Sequence, residues 1–251
     1  MKKNQVSLLK KLGGIVSTAG GSAIGSLGGI GGAAAGAAIG EVLKTVLEDI
    51  ADRYLSPREG ERISNVALLA IEKIQEQRLW NSIRDDDFFE PDDGSPSASE
   101  EIFEGVLLSA KQEHEQMKLP YLANFFANLA FDSTIKRSEA NYLLSIAESL
   151  TYTQLCLLGL KSENQKEKYD LRSQSRNATA QENLYISEQA NHLDQRRLFK
   201  KRSPFAADVS IGGSEASPCD VSLSEVGQRL SDLMDLHMID KIDLERTARS
   251  W

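Results

Sequence analysis

Apolar side chains recur at helical spacing along most of the chain. The clearest run is 59–82, where Ile63, Val66, Ala67, Ala70, Ile71 and Ile74 fall at i, i+3, i+4, i+7, i+8 and i+11. Glu61, Arg62, Glu72, Lys73 and Glu76 stand opposite, so the spacing predicts an amphipathic helix with one buried face and a packed Trp80. Before it, Val42, Leu43, Val46, Leu47, Ile50 and Leu55 form a stripe that Pro57 stops. After it, Ser97 precedes Glu100 by the spacing of a capping box. That box opens a helix to about Lys118, with Ile102, Val106, Ala110 and Met117 facing inward. Pro120 suits the first turn of the next helix, 120–131, whose core is Leu122, Phe125, Phe126 and Leu129. Ala140, Leu143, Leu144, Ile146 and Ala147 give another face, capped by Asp132 or Ser138, and Thr151 is the N-cap of the segment that follows. Residues 59–161 therefore read as a bundle of about five helices.

Composition shifts at Ser162. Residues 162–183 are almost wholly polar and read as a loop. Ile186, Leu193, Leu198 and Phe199 then mark a short helix. Val209 and Ile211, with Val221 and Leu223, flank a Gly-Gly turn as in a β-hairpin. Ser224 caps a closing helix bearing Val226, Leu230, Leu233 and Met234. The fold class read from these patterns is mainly α. It comprises an N-terminal Gly/Ala-rich helix or hairpin, a helical bundle and a small C-terminal winged-helix-like module. The divisions fall at 1–58, 59–161, 162–183 and 184–251.

The N-terminal region departs from all of this. Residues 12–40 carry no charge and hold 11 of the 18 glycines. Gly21, Gly25 and Gly29 are four apart, as are Gly28, Gly32, Gly36 and Gly40, so a helix here has grooves of bare backbone on one side. Each glycine costs a water-exposed helix roughly 0.5–1 kcal/mol relative to alanine, a loss that close helix packing in lipid offsets. As a helix these 29 residues span ~43 Å against a hydrocarbon core of ~30 Å. Large apolar residues are few, which points to insertion as an oligomer or to a hairpin broken near Gly28 and Gly29. A Gly/Ala linker and a helix packed on the protein's own body remain alternatives. The dilution in leucine argues against a cleaved secretory signal. Lys2, Lys3, Lys10 and Lys11 favour a cytoplasmic N-terminus if the segment spans.

The net charge of −8 disfavours nucleic acid as the partner, because phosphate neutralisation dominates that affinity. One basic cluster, Arg196, Arg197, Lys200, Lys201 and Arg202, offers a possible phosphate contact, weighed against a solvated helix end. His114, His192 and His237 are scattered, and Cys156 and Cys219 form no metal or redox pattern. No phosphate loop, catalytic triad or βαβ dinucleotide unit is present, and Asp85, Asp86 and Asp87 lack the spacing of a calcium loop. No catalytic residue, cofactor or metal is expected.

The order of segments is distinctive. The Gly/Ala tract precedes the helix of Arg62, Asn65 and Lys73, followed by EIFEGVLLSAKQE (101–113), YLANFFANLAFD (121–132) and SLTYTQLCLLGL (149–160), and LSEVGQRLSDL (223–233) closes the series. This order resembles the bacterial abortive-infection alpha family over residues 20–235. Departures are the length of the polar loop 162–183 and Ser224 where threonine is usual. The resemblance implies a role in phage defence in which infected cells die or stop growing, and it carries no catalytic residues. The expectation is a non-enzymatic effector, cytoplasmic and at the inner membrane when active, whose glycine-zipper segment associates with or permeabilises the membrane as a homo-oligomer. The alternative is a soluble sensor or adaptor that binds a partner protein or DNA through the bundle and the winged-helix-like module.

Overall fold

The computed structural model describes residues 30–53, 55–91, 94–162, 180–201 and 221–251. It begins three helices with one local device. Ser56, Ser97 and Thr151 each accept a bond from the N–H three residues on, while Glu59, Glu100 and Gln154 reach back to the cap's own N–H. Two donors that helix starts leave unpaired are thereby satisfied reciprocally. Pro57 adds a preset φ to the first turn after Ser56. Among the described residues there are nine α-helices and one two-stranded sheet, so the protein is mainly α. They fall into two units, residues 1–149 and 150–251.

In the first unit, α1 (Ile30–Asp52), α2 (Pro57–Gln77), α3 (Ala98–Gln112), α4 (Leu119–Leu129) and α5 (Arg137–Ser149) are joined with 3-10 turns at Asp87–Phe89 and Gln116–Lys118. The centre is α3, which packs against all four other helices and the Asp87–Phe89 turn. It can do so because Ile102, Phe103, Val106, Leu107 and Ala110 are all fully buried. The Phe103 and Phe126 rings meet at 4.5 Å between centroids. Each such side chain contributes about 1.5–3 kcal/mol by leaving water. The inward stripe of α2 is the expected one, from Ile63 to Ile74. Its C-terminus is tied to α4 where Gln77 donates to Asn128 at 2.5 Å.

The second unit is built on α6 (Tyr152–Lys161), buried from Gln154 to Lys161. Around it lie α7 (Ala180–Gln195), the turn Leu236–Met238, α8 (Glu225–Leu233), α9 (Lys241–Ser250) and the second strand of the sheet. Strands β1 (Phe199–Lys201) and β2 (Val221–Leu223) pair antiparallel, Phe199 opposite Leu223. Phe199 stacks on Trp251 at 5.8 Å, and the Lys161 ammonium lies 5.1 Å over the Trp251 ring.

Several expectations shift. The helix expected to close a 59–161 bundle is α6, which packs as the centre of the second unit. Leu198 and Phe199 are not helical: a turn ends α7, and Phe199 starts β1, so Val221–Leu223 pairs with 199–201. Val209 and Ile211, expected as the first strand, lie outside the described residues, as does most of the 162–183 loop. α7 is already helical at Ala180, within the span read as loop. Helix α3 ends at Gln112, and Met117 is half-exposed instead of core. Trp80 is 84% exposed, beyond the end of α2, with no described residue packed over it. Neither Asp132 nor Ser138 is the residue preceding α5; the Asp132 carboxylate accepts instead from the Thr134 N–H and hydroxyl at 2.9 and 2.6 Å.

Two backbone positions in the second unit set opposite demands. A Cβ on Gly227 would lie 2.2 Å from the Leu198 carbonyl oxygen, which also accepts the Ser224 N–H at 2.9 Å. Arg197 sits at φ 58°, and around it the Arg197 N–H bonds Asp194 and the Leu198 N–H bonds Leu193, a Schellman ending whose left-handed residue is usually glycine. Gly227→Ala should therefore cost about 2 kcal/mol by overpacking. Arg197→Gly should raise stability by roughly 0.5 kcal/mol by removing left-handed strain. Urea-unfolding midpoints of the two variants check both signs.

Candidate functional site

The glycine positions divide in two. Gly21, Gly25, Gly28 and Gly29 lie outside the described residues. Gly32 is within α1, and Gly36 and Gly40 are buried there beside Ile39. From Gly36 onward the inward face of α1 continues through Val42, Leu43, Val46, Leu47 and Ile50, while Ala37, Glu41, Thr45, Glu48 and Asp49 face water. This face packs on α3 and on the Asp87–Phe89 turn. At its end Arg53 pairs with Asp49 at 2.5 Å and with Glu104 of α3. These half-exposed pairs add at most about 1 kcal/mol; the apolar face holds the helix. The last two repeat glycines thus lie on the core face of a helix docked within its own subunit, a packing the spacing alone does not separate from packing in lipid. No single helix among the described residues is long and apolar enough to cross a membrane. The uncharged stretch preceding Gly36, residues 12–35, still amounts to ~36 Å of helix.

Of the basic cluster, Arg196, Arg197 and Lys200 are exposed around the α7–β1 turn, while Lys201 has only its backbone placed in β1 and Arg202 is outside the described residues. Arg197 occupies its place as the left-handed residue of the helix ending, so a structural role accounts for its position.

A third polar feature was not legible in sequence. Arg84 is buried and donates Nε and Nη2 to the two oxygens of Asp86, both at 2.6 Å, Nη2 also to the Ile135 carbonyl at 3.0 Å and Nη1 to that of Leu129 at 3.3 Å. Its guanidinium lies 4.0 Å over the Phe88 ring, and Lys136 reaches Asp86 at 2.9 Å. The middle member of the acidic triplet 85–87 thus locks the 83–89 segment onto the loop after α4. Beside this lies a cavity of about 290 Å³ whose lining mixes cations (Arg84, Lys136, Arg137) with the acidic Asp87 and Glu90 and with Phe88. Each of its cations already has a carboxylate, since Arg137 pairs with Glu101. The cluster acts as a staple: four Arg84 N–H bonds, two to Asp86 and one each to the Ile135 and Leu129 carbonyls, tie the segment down.

No group of His, Cys, Asp and Glu among the described residues could hold a metal ion. His114 is exposed, His192 shares a bond with Gln154 at 3.0 Å, and Cys156 is buried. No protein-family model, curated protein or solved structure matches the chain.

The Arg84 hydrogen bonds, joined by Lys136, outweigh burial and hold the Asp86 carboxyl far below the usual carboxylate range. A folded pKa below the unfolded ~3.9 gives stability that is complete above about pH 4 and is lost as pH falls through the folded value. Asp86→Asn, which leaves Arg84 buried without its counter-charge, should cost about 3 kcal/mol at pH 7. The gap between the variant and the natural protein should narrow as pH falls from about 4 toward 2, because the unfolded chain then binds a proton at Asp86 that the folded protein, with its carboxylate still ionised, does not. Urea midpoints followed from pH 7 to pH 2 measure it.

Proposed function

We propose that this chain is a non-enzymatic anti-phage effector of the abortive-infection type. Its glycine-zipper segment acts at the inner membrane as a homo-oligomer and permeabilises it. The observation that carries the reading is the division of the uncharged tract. Residues 36–52 are a stem docked by an apolar face, whereas residues 12–35 retain the length, neutrality and four-residue glycine period that close helix packing in lipid needs. A stem buried in the body gives the tract a fixed point of attachment, so the helical body can hold or release it as a unit. The Gly21, Gly25 and Gly29 row and the adjoining Gly28 and Gly32 are the packing positions. Gly36 and Gly40 serve the stem.

The alternative reading is a soluble sensor or adaptor. The succession of helix α7, a strand pair, and helices α8 and α9 supports a winged-helix-like module over 184–251, and the exposed Arg196, Arg197 and Lys200 give it a basic corner toward a partner protein or DNA. The net charge and the structural account of Arg197 make it the second choice.

Full-length protein induced in bacteria, with a membrane-potential dye as readout, separates the two. Gly25→Leu combined with Gly29→Leu should abolish depolarisation and growth arrest, because leucine holds the backbones apart. Gly25→Ala with Gly29→Ala should keep most of both. Depolarisation that persists in the leucine protein contradicts the effector reading. A chain that never depolarises cells but shifts DNA mobility through Arg196 and Lys200 supports the adaptor.

A further inference from the structure

Helix α2 buries one face and leaves an unusual one outside. Leu68 and Leu69 are 40% and 38% exposed, and Leu79 and Trp80, in the turn that prolongs the helix, are 58% and 84% exposed. With Glu61, Asn65, Glu72 and Glu76 they fall at i, i+3, i+4 and i+7 spacings, on the side opposite Ile63, Val66, Ala67, Ala70, Ile71 and Ile74. The turn is ordered: the Leu79 N–H bonds Glu76 and the Trp80 N–H bonds Gln77, at 3.1 and 3.0 Å. Two apolar pairs with exposed carboxylates between them form a row that suits an amphipathic, basic segment.

We propose that the occupant is the chain's own residues 1–12, MKKNQVSLLKKL. Three arguments select it. This stretch holds four lysines, no acidic residue, and Val6, Leu8, Leu9 and Leu12. With no other charge before Glu41, the first 29 residues carry +4 and the rest of the chain −12, to give the net −8. Opposite charges at close range bring the two together with an on-rate and register that neutral surfaces lack. Residues 13–29 reach up to about 55 Å when extended. That exceeds the ~30–35 Å width of a body of this size, so the segment meets the α2 row while tethered, at an effective concentration in the millimolar range. The lysines face Glu72 and Glu76, and the leucines cover Leu68, Leu69, Leu79 and Trp80.

This deepens the effector reading by naming what restrains the tract. With its N-terminal end clasped on α2 and its C-terminal stem docked on α3, the glycine segment is held at both ends. Releasing the clasp frees it for assembly in lipid. The clasp itself needs no membrane, so it stands or falls separately from the effector reading.

The test uses the full chain in low-salt buffer without lipid and follows acrylamide quenching of Trp80. Its signal is isolated by subtracting the emission of a Trp80→Phe protein, which leaves Trp251 alone. Breaking the clasp with Lys10→Glu and Lys11→Glu should raise the Trp80 quenching constant about twofold, as a covered ring becomes open to collision. Glu72→Lys with Glu76→Lys should do the same, and these two substitutions are on exposed positions that do not threaten folding. Joining both pairs of reversals should restore shielding. Quenching that is equal in all four proteins overturns the proposal. So does failure of the combined reversal to restore shielding, or shielding that fades on dilution and so comes from a second copy. If the clasp is confirmed and the cells still show no depolarisation, the effector reading fails and the clasp remains.

Discussion

Close approach of backbone to backbone, at positions without a side chain, is the constraint on which the second unit turns. In the second unit α6 meets the Leu236–Met238 turn so tightly that a Cβ on Gly159 would lie 2.7 Å from the Leu236 carbonyl oxygen. The start of α8 meets the end of α7 at Gly227 in the same way. In the first unit Gly36 and Gly40 lie on the buried face of α1. Glycine is costly in a helix because it leaves the unfolded chain more freedom and gives the folded one nothing to pack. At Gly159 and Gly227 that cost is explained by another segment coming closer than a methyl group allows. The uncharged tract before Gly36 carries the same small residues in sequence, and the proposed partner for them is a second copy of the same segment in lipid.

Around those contacts the body is held by ordinary means. The apolar face of α3 organises four helices, and α6 organises the remaining elements of its unit. Buried charge appears where loops have to be tied down. Arg84 and Asp86 fasten the Asp87–Phe89 turn, and Lys118 with Glu113 fastens the short turn between α3 and α4, where the Lys118 ammonium also donates to the Glu148 carbonyl at 3.2 Å. A buried pair of this kind contributes little net free energy over an apolar replacement, yet losing one member is costly. These pairs fix geometry more than they add stability.

Much of this was legible because the signals are local. Ser97 and Glu100, Thr151, Ser224 and Pro120 all mark helix starts where the spacing placed them. The inward stripe of α2 follows directly from its 3.6-residue period. Ser56 with Glu59 carries the same capping signal and is easily hidden behind the stop implied by Pro57. The strand pair was half legible: Val221 and Leu223 read as a strand and form β2, but its partner β1 did not, since three residues are too few for an alternation to emerge from the basic run around Phe199. Nor was the Arg84 cluster, since Leu129, Ile135 and Lys136 come to Arg84 and Asp86 only through the fold. Trp80 misled for a physical reason. Its size argues for burial, but it lies past the last turn of α2 on the solvent side, where no described helix reaches. In the candidate site, glycine spacing identified the stretch but not its division, because a helix docked on its own body and one packed in lipid ask for the same small residues.

The central claim is that residues 12–35 pack against their own copies through glycine. Single cysteines placed in turn along 17–32, in a chain with Cys156→Ala and Cys219→Ser, allow it to be read by oxidative cross-linking in membranes of producing cells. The account predicts intermolecular cross-links that peak on one helix face, at the positions of Gly21, Gly25 and Gly29 and the adjoining Gly28 and Gly32, and vanish on the opposite face. Cross-linking that is absent at every position, or uniform along the stretch, contradicts it.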